Sequence, residues 1–436
     1  MKLPEVTAKS RRRALIVVLL VQTALFFFFL RNGPEVVTDN VVYEQGGWAM
    51  ASGRGLALPF EMAPDPDVRS WVCTRHPESC FDDAYPSAQY QPGYQLFIAA
   101  IYLVFGRHLW PIVIAQLALL LGMFVCVERI AARFLGKAAY WFVTAVACTY
   151  PFLARQATMI MADHFHGALL LFSLSALFLM QPGWRRGLTF GLLLGAASLT
   201  RSYSVVVIPF LFAWPRLRRA FQANRKEWGV AFVACVLPFV IWTARNEYWF
   251  GRFIPISTTG LGCHLYFNKL EAEVGTPYEG DNASKFTEVY TTGGDAASYA
   301  KNQGLKKEAV AWIRSNPATM AGLMVKRVPR VWISQGEHRK GTSPAAPLLV
   351  LYLGGLLALG VAGIWLKRRD ARWNAMALVI VLYWGFLLIT PAEARRTLPL
   401  RLPMLMFAGV AIDAAVAWWA ERRALRTAHD ARVRRV

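Results

Sequence analysis

ALIVVLLVQTALFFFFL, residues 14–30, carries no charge, and a helix of that length crosses about 30 Å of hydrocarbon. Further uncharged runs of about 17–20 residues recur as far as residue 419. Inside a bilayer the backbone groups of such runs must bond within their own segment, which leaves helices packed on one another. Hydrophobic residues form 56% of the 436 and the mean hydropathy is +0.34, above the balance of a soluble enzyme. The expected fold class is therefore an all-α polytopic membrane protein. The first run is too long for a signal-peptide core and no A-x-A-like site follows it, so it reads as a retained helix.

Ten segments read as spanning: 14–30, 110–127, 138–153, 164–180, 187–200, 203–214, 229–245, 347–366, 375–391 and 402–419. With the N-terminus inside, the inner flanks are KSRRR (9–13), ERIAARFLGK (128–137), WRR (184–186), RLRRAFQANRK (216–226), KRRDAR (367–372) and ERRALR (421–426). Short outer loops hold only Arg155, Arg201, Arg395, Arg396 and Arg401. That bias fixes the orientation. It also explains the net charge of +21: basic blocks beside apolar runs suit topology and anionic headgroups, not nucleic acid.

Two stretches resist this scheme. GYQLFIAAIYLVFG (93–106) is apolar but short, and as a span it would invert every later loop. It is expected to lie in the outer interface as a half-buried helix. The stretch 187–215 has basic ends and TRSY in its middle, so it reads as two short arms meeting at Arg201. Arms that short leave Arg201 below the surface, where a charge faces a ligand, a partner or water. The expected organisation is a transmembrane module over 1–245 with a first outer loop (31–109), a second outer loop (246–346), C-terminal helices (347–419) and a loose basic cytoplasmic tail (420–436). In the second loop a helical stretch over 295–317 should end at Asn316-Pro317, and 319–333 should lie on the surface. There is no internal repeat.

Of six cysteines, Cys126, Cys148 and Cys235 sit in apolar runs as small fillers. Cys73 and Cys80, in WVCTRHPESC, lie on the outer side and are expected to form a local disulfide.

The same topology puts many polar groups on the outer face. They include Asp39 with Tyr43; Gln89, Tyr90 and Tyr94; Asp163; Arg201; Arg245, His264 and Asn268; and Glu393, Arg395 and Arg396. Segments so far apart in sequence, all on one side, suggest a shared cavity. Guanidinium forks would hold a lipid-borne phosphate there while a carboxylate handles an acceptor's proton. Asp39 heads a helix-like stretch with Tyr43, Gly47 and Met50 on one face. It reads equally as an N-cap, as does Asp163 before the run at His164. Asp163 and His166 share a face at i, i+3, but no third ligand completes a metal site. Arg245 also reads as a headgroup anchor at a helix end.

TDNVVYEQGGWAMASGRGL, YQPGYQLFIAAIYLVFG, QATMIMADHFHGALLLFSLSALFL, GLLLGAASLTRSYSVVVIP, WTARNEYWFGRFIPISTTGLG, AVAWIRSNP and PAEARRTLPLRLPML follow one another as in bacterial GT-C glycosyltransferases. The chain resembles the branch that groups dolichyl- or polyprenyl-phosphate-mannose–protein mannosyltransferases with the lipid A aminoarabinose transferases. This resemblance implies a GT-C helical bundle with about ten transmembrane helices, interfacial helices and two larger outer loops. It implies an enzyme that moves a sugar from a polyprenyl-phosphate donor to a glycolipid, polysaccharide or protein at the outer face of a bacterial inner membrane. It matches Asp39 to the family's proposed catalytic base and Asp163 to its second acid. Here Asp39 is followed by Asn40 where the family often has Asp-Glu. The chain reads QYQPGY where the aminoarabinose branch has Glu-Lys before Pro-Pro, which sets it apart from the lipid A transferase.

The expected reaction is a direct, inverting displacement. Asp39 takes the acceptor proton, and Arg201 with Arg395, Arg396 and Arg245 binds the departing phosphate. Tyr43, Gln89, Tyr90, Tyr94, His264, Asn268 and Glu393 would contact substrate. The leaving group is already an anion, so no cofactor is obligatory and a divalent metal is optional. A lipid-linked polymer ligase or polymerase, a transporter and a non-catalytic scaffold are the alternatives. A transporter would favour internal pseudo-symmetry.

Overall fold

The structure, a computed structural model, describes residues 6–34, 39–59, 66–79, 84–214, 225–257, 261–275, 299–333, 346–390 and 394–433. It opens with α1 (Ala8–Phe29), α2 (Asp39–Ala51), β1 (Ala57–Pro59), α3 (Pro66–Arg75), β2 (Ala84–Pro86) and α4 (Gly93–Phe105). Then come α5 (Leu109–Phe134), α6 (Lys137–Thr149), α7 (Pro151–Thr158), α8 (Ala162–Leu179), α9 (Trp184–Ser198) and α10 (Val207–Ala213). The remainder is α11 (Arg225–Phe250), α12 (Leu261–Val274), α13 (Tyr299–Ser315), α14 (Pro317–Ile333), α15 (Ala346–Leu366), α16 (Ala371–Ile389) and α17 (Leu398–Val433).

Among the described residues, seven helices are long and apolar enough to cross a bilayer: α1, α5, α8, α11, α15, α16 and α17. The other three expected spans fall on shorter pieces. Residues 138–153 divide between α6 and α7 at Tyr150, 187–200 fall on the 15-residue α9, and 203–214 on a 3-10 turn (Ser202–Ser204) with α10. At 1.5 Å per residue α9 rises about 22 Å, short of the hydrocarbon thickness. The break at Tyr150 has a chemical cause. Pro151 offers no N–H, so the Ala147 carbonyl loses its helical donor. Gln22 of α1, fully buried, supplies one: its Nε2 lies 2.7 Å from the Ala147 oxygen and 3.3 Å from that of Tyr150.

Glycines set the closest packing. Gly187, Gly191 and Gly195 form one stripe of α9, each against the backbone of α11 at Glu227, Ala231 and Cys235. A Cβ at any of them would meet a carbonyl, so the small-residue spacing lets the two helices touch. On the outer side Gly46 and Gly47 do the same for α2. A Cβ on Gly46 would lie 2.9 Å from Gln95 Nε2, and one on Gly47 would strike the Ile98 side chain of α4. The glycines expected to admit a sugar ring or a neighbouring helix admit the helix. One face of α4 (Tyr94, Gln95, Ile98, Tyr102) is buried while Leu96, Leu103, Val104 and Phe105 are exposed, as a half-buried interfacial helix requires.

A polar knot fastens α2 to the end of α4. Arg107 donates to both carboxylate oxygens of Glu44, each at 2.8 Å, and the Tyr102 hydroxyl donates to Oε1 at 2.8 Å. Beside it β1 and β2 pair antiparallel, Ala57 opposite Pro86. The second outer region follows its expectation: α13 stops at Ser315 and α14 starts at Pro317. The tail does not. The α17 helix continues to Val433, because AERRALRTAHDARV has strong helix formers and neither glycine nor proline to stop it. Arg422 and Arg423 stack on Trp418 and Trp419, with ring-centroid distances of 4.8 and 5.5 Å.

Candidate active site

Asp163 stands in the first turn of α8, where the helix dipole favours an acid, and is 1% exposed. Its Oδ2 accepts from Arg201 Nη2 at 2.9 Å. Neither Asp163 Oδ1 nor Arg201 Nε has a hydrogen-bond partner. Arg201 follows α9, whose glycine stripe pins it to α11, and takes extended backbone angles before the 3-10 turn at Ser202. A charge one turn beyond a close-packed helix end is thereby held in place.

Aromatic rings form one wall. The Arg201 guanidinium lies 5.8 Å from the Tyr43 ring centroid, and Tyr43 meets Tyr90 and Tyr94 edge-on at 5.6 and 5.3 Å. The Tyr94 hydroxyl donates to Gln116 Oε1 at 2.9 Å. Gln116 in turn donates to the Ala157 and Met159 carbonyls, freed where α7 ends. A chain break, a glutamine and a tyrosine thus form one chain of support. Gln89 sits just before Tyr90, its backbone N–H on Ser87 Oγ at 3.2 Å.

Opposite lies the 3-10 turn Ala394–Thr397. Arg395 donates to the Met161 sulfur at 3.2 Å, and Arg396 stacks over Tyr203 at 5.6 Å. Both guanidiniums act electrostatically on Asp163. Arg396 and Arg201 also act on His264 of α12. Burial first, then these two cations, push that imidazole down to about 3, so it is neutral at physiological pH. Eight expected site residues therefore converge from separate elements: Tyr43, Tyr90, Tyr94, Asp163, Arg201, His264, Arg395 and Arg396.

Other expectations are corrected. Arg245 does not join the cluster. Its Nη1 donates to the Ser87 carbonyl and to Asn246 Oδ1, each at 2.9 Å, and its Nη2 to the Leu56 carbonyl at 3.1 Å. With the rings of Trp242 and Phe250 at 5.1 and 5.3 Å, it ties α11 to the β1–β2 segment. Asn268 is likewise committed: Nδ2 donates to the Leu265 carbonyl, and Oδ1 accepts from Arg327 at 2.7 Å. His166 turns from any metal role, Nδ1 donating to the Ala197 carbonyl at 2.8 Å and Nε2 accepting from Ser204 at 3.2 Å. Among the described residues no group of three His, Cys, Asp or Glu side chains could hold a metal ion. Glu393, Cys80 and the side chain of Asp39 lie outside the described residues. The backbone of Asp39 opens α2, one turn before Tyr43. Cys73 is disulfide-bonded, whereas Cys126, Cys148, Cys235 and Cys263 are free.

Sequence reasoning missed the buried network under α12. Glu271 accepts from Arg327 at 2.6 Å and from Arg330 at 2.8 Å, and Arg327 reaches the Leu388 carbonyl of α16 at 2.9 Å. His264, Asn268 and Glu271 share a face at i, i+4 and i+7. The network therefore holds the helix that carries His264. Its available signal was an arginine inside the apolar face of MVKRVPRVW.

Residues 86–242 match a family model described as dolichyl-phosphate-mannose-protein mannosyltransferase. No curated protein matches the chain. The fold is similar to that of the Archaeoglobus fulgidus oligosaccharyltransferase tethered to an acceptor peptide containing the NVT sequon. The TM-score is 0.51 at 14% identity over 96% of this chain and 51% of that one. The archaeal oligosaccharyltransferase AglB of the same organism, in complex with an inhibitory peptide and a dolichol-phosphate, gives 0.50 at 13% identity, covering 96% and 52%. The chain thus spans about half the length of these relatives. ArnT from Cupriavidus metallidurans bound to undecaprenyl phosphate gives 0.38 at 14% identity, covering 92% and 77%. The chain is a multi-pass membrane protein of the GT-C superfamily.

Proposed function

We propose that this protein is a glycosyltransferase that moves a sugar from a polyprenyl-phosphate donor to an acceptor hydroxyl at the outer face of a bacterial cytoplasmic membrane. One observation carries the reading: the buried Asp163–Arg201 pair, with Oδ1 and Nε unspent, beside Arg395, Arg396 and a neutral His264. An anion among guanidiniums in a partly dry site gains more than it would in water. The mannosyltransferase family match and the dolichol-phosphate in the AglB complex favour a lipid phosphate as that anion. The basic inner flanks favour the outer face.

In the proposed step the acceptor oxygen attacks the anomeric carbon as the carbon–oxygen bond to phosphate breaks. The bonding pair leaves with the phosphate, and the acceptor's proton passes to Asp39. The products are the glycoside, with inverted configuration, and polyprenyl phosphate. Arg201, Arg395 and Arg396 stabilise the charge that gathers on the leaving oxygen. Asp163 orients Arg201. A carboxylate already paired with a guanidinium is a weak base, so the two acids divide their roles. Tyr43, Tyr90 and Tyr94 form an aromatic wall for the sugar, His264 offers it an uncharged hydrogen-bonding group, and Gln89 and Glu393 are second candidates for sugar contact.

The test is polyprenyl-phosphate binding to the protein in nanodiscs. Arg201→Ala and Arg396→Ala should each weaken it about tenfold or more, the worth of one charge-assisted contact. The second variant guards against misfolding in the first. Unchanged affinity in a folded Arg396→Ala protein would discard the phosphate site.

A further inference from the structure

Arg401 lies in the first turn of α17, within an apolar span, and is 5% exposed. An ionisable side chain at that depth is there for a partner. Part of it is accounted for. Its Nη2 donates to the Trp332 carbonyl at 2.6 Å and to Thr397 Oγ1 at 2.8 Å, and the guanidinium stacks over the Trp332 ring at 4.0 Å. Trp332 belongs to the last turn of α14, whose carbonyls lack helical donors, so this contact caps that helix. Nε and Nη1 are buried without a hydrogen-bond partner.

Arg401 also lines a crevice enclosing about 300 Å³ of free space. Its other walls are apolar, with Val146, Leu353, Leu356, Met404 and Leu405 on three helices, and Tyr150 is a second polar group. A hydrated ion finds few ligands among such walls, whereas an amphiphile matches both parts. Leu348 and Leu351 of the neighbouring α15 turn are 71% and 72% exposed, so that helix faces hydrocarbon beside the crevice. The amphipathic α14 ends at the same place, which puts Arg401 near headgroup depth.

We propose that Arg401 and this crevice form a phospholipid site separate from the Asp163–Arg201 cluster. The lipid phosphate takes the unspent donors of Arg401, and one acyl chain lies along Leu353, Leu356 and Leu405. The crevice widens as the chain enters, through rotamer changes of Leu356 and Met404. The site needs neither the sugar donor nor the acceptor, so it stands if the glycosyl-transfer reading falls.

The test is native mass spectrometry of the delipidated full-length protein titrated with phosphatidylglycerol, and in a second arm with inorganic phosphate. The wild type should retain phosphatidylglycerol. Arg401→Gln, which keeps an amide donor for the Trp332 carbonyl, and Leu356→Trp, which fills the half-buried crevice wall, should each weaken it about tenfold or more. If Arg401→Gln fails to fold, Leu356→Trp still decides the matter. Equal phosphatidylglycerol retention in a folded variant would overturn the proposal. So would inorganic phosphate binding the wild type as tightly as the lipid, since that would make the occupant a free ion.

Discussion

Replacing Asp163 with asparagine tests the geometry on which the site is built. The side chain keeps its shape and one acceptor but loses its charge, which leaves Arg201 with a neutral partner. Breaking a buried ion pair costs about 3–5 kcal/mol, since the surviving charge stays uncompensated. Arg201 is 15% exposed and keeps its contact with Tyr43, so the lower end applies, about 3 kcal/mol. A retained neutral hydrogen bond returns about 1 kcal/mol. The lost dipole interaction at the head of α8 removes roughly 0.5 kcal/mol. The net expectation is a destabilisation of about 2–3 kcal/mol, a change of roughly 30- to 150-fold in the folded-to-unfolded ratio. Unfolding in mixed micelles, followed by circular dichroism, would measure it alongside Arg201→Met and the double variant. The double variant should be less destabilised than the sum of the singles by about 1 kcal/mol or more. Additivity within about 0.3 kcal/mol would refute the pairing.

Gly47→Ala should loosen α2 from α4 through its clash with Ile98, costing about 1–3 kcal/mol of stability and lowering activity, while Ile98→Ala in the same chain should restore part of both. A double variant no better than Gly47→Ala alone would remove the close approach as the cause. His264 sits well below its ordinary value, so the unfolded chain binds more protons near pH 5 than the folded one, and stability should fall from pH 7 to pH 5. His264→Gln should flatten that part of the pH profile; an unchanged profile would show that this imidazole is not the group responsible. Cys73 should resist alkylation until a reductant is added and, once reduced, should be modified together with Cys80. Labelling of Cys73 in untreated protein would contradict the bridge.

Some of this was legible in the amino-acid sequence for reasons that can be named. Charge-free length identified most of the bilayer helices, and the inversion that α4 would have forced kept it in the interface. The brevity of the arms around Arg201 marked that arginine as functional before any partner was visible. Partners were the harder part. Asp163 meets Arg201 only because α9 packs on α11 through Gly187, Gly191 and Gly195, and a glycine stripe in an apolar run reads as filler until its neighbour is known. Glu44 and Arg107, or Glu271 and Arg327, lie 63 and 56 residues apart, and no local pattern joins them. Arg245 misled because a helix-end arginine looks alike whether it meets a phosphate or the carbonyls of Ser87 and Leu56. The expected span at 138–153 overlooked how Pro151 divides a run, a signal that was present and carried too little weight.

The most direct measurement is sugar transfer by Asp39→Asn protein in proteoliposomes supplied with a polyprenyl-phosphate sugar. Asparagine caps a helix as well as aspartate does, so α2 should form unchanged and only proton acceptance is lost. The account predicts a fall of about 10²- to 10⁴-fold in turnover with thermal stability preserved. Transfer at the wild-type rate from the same preparation would contradict it.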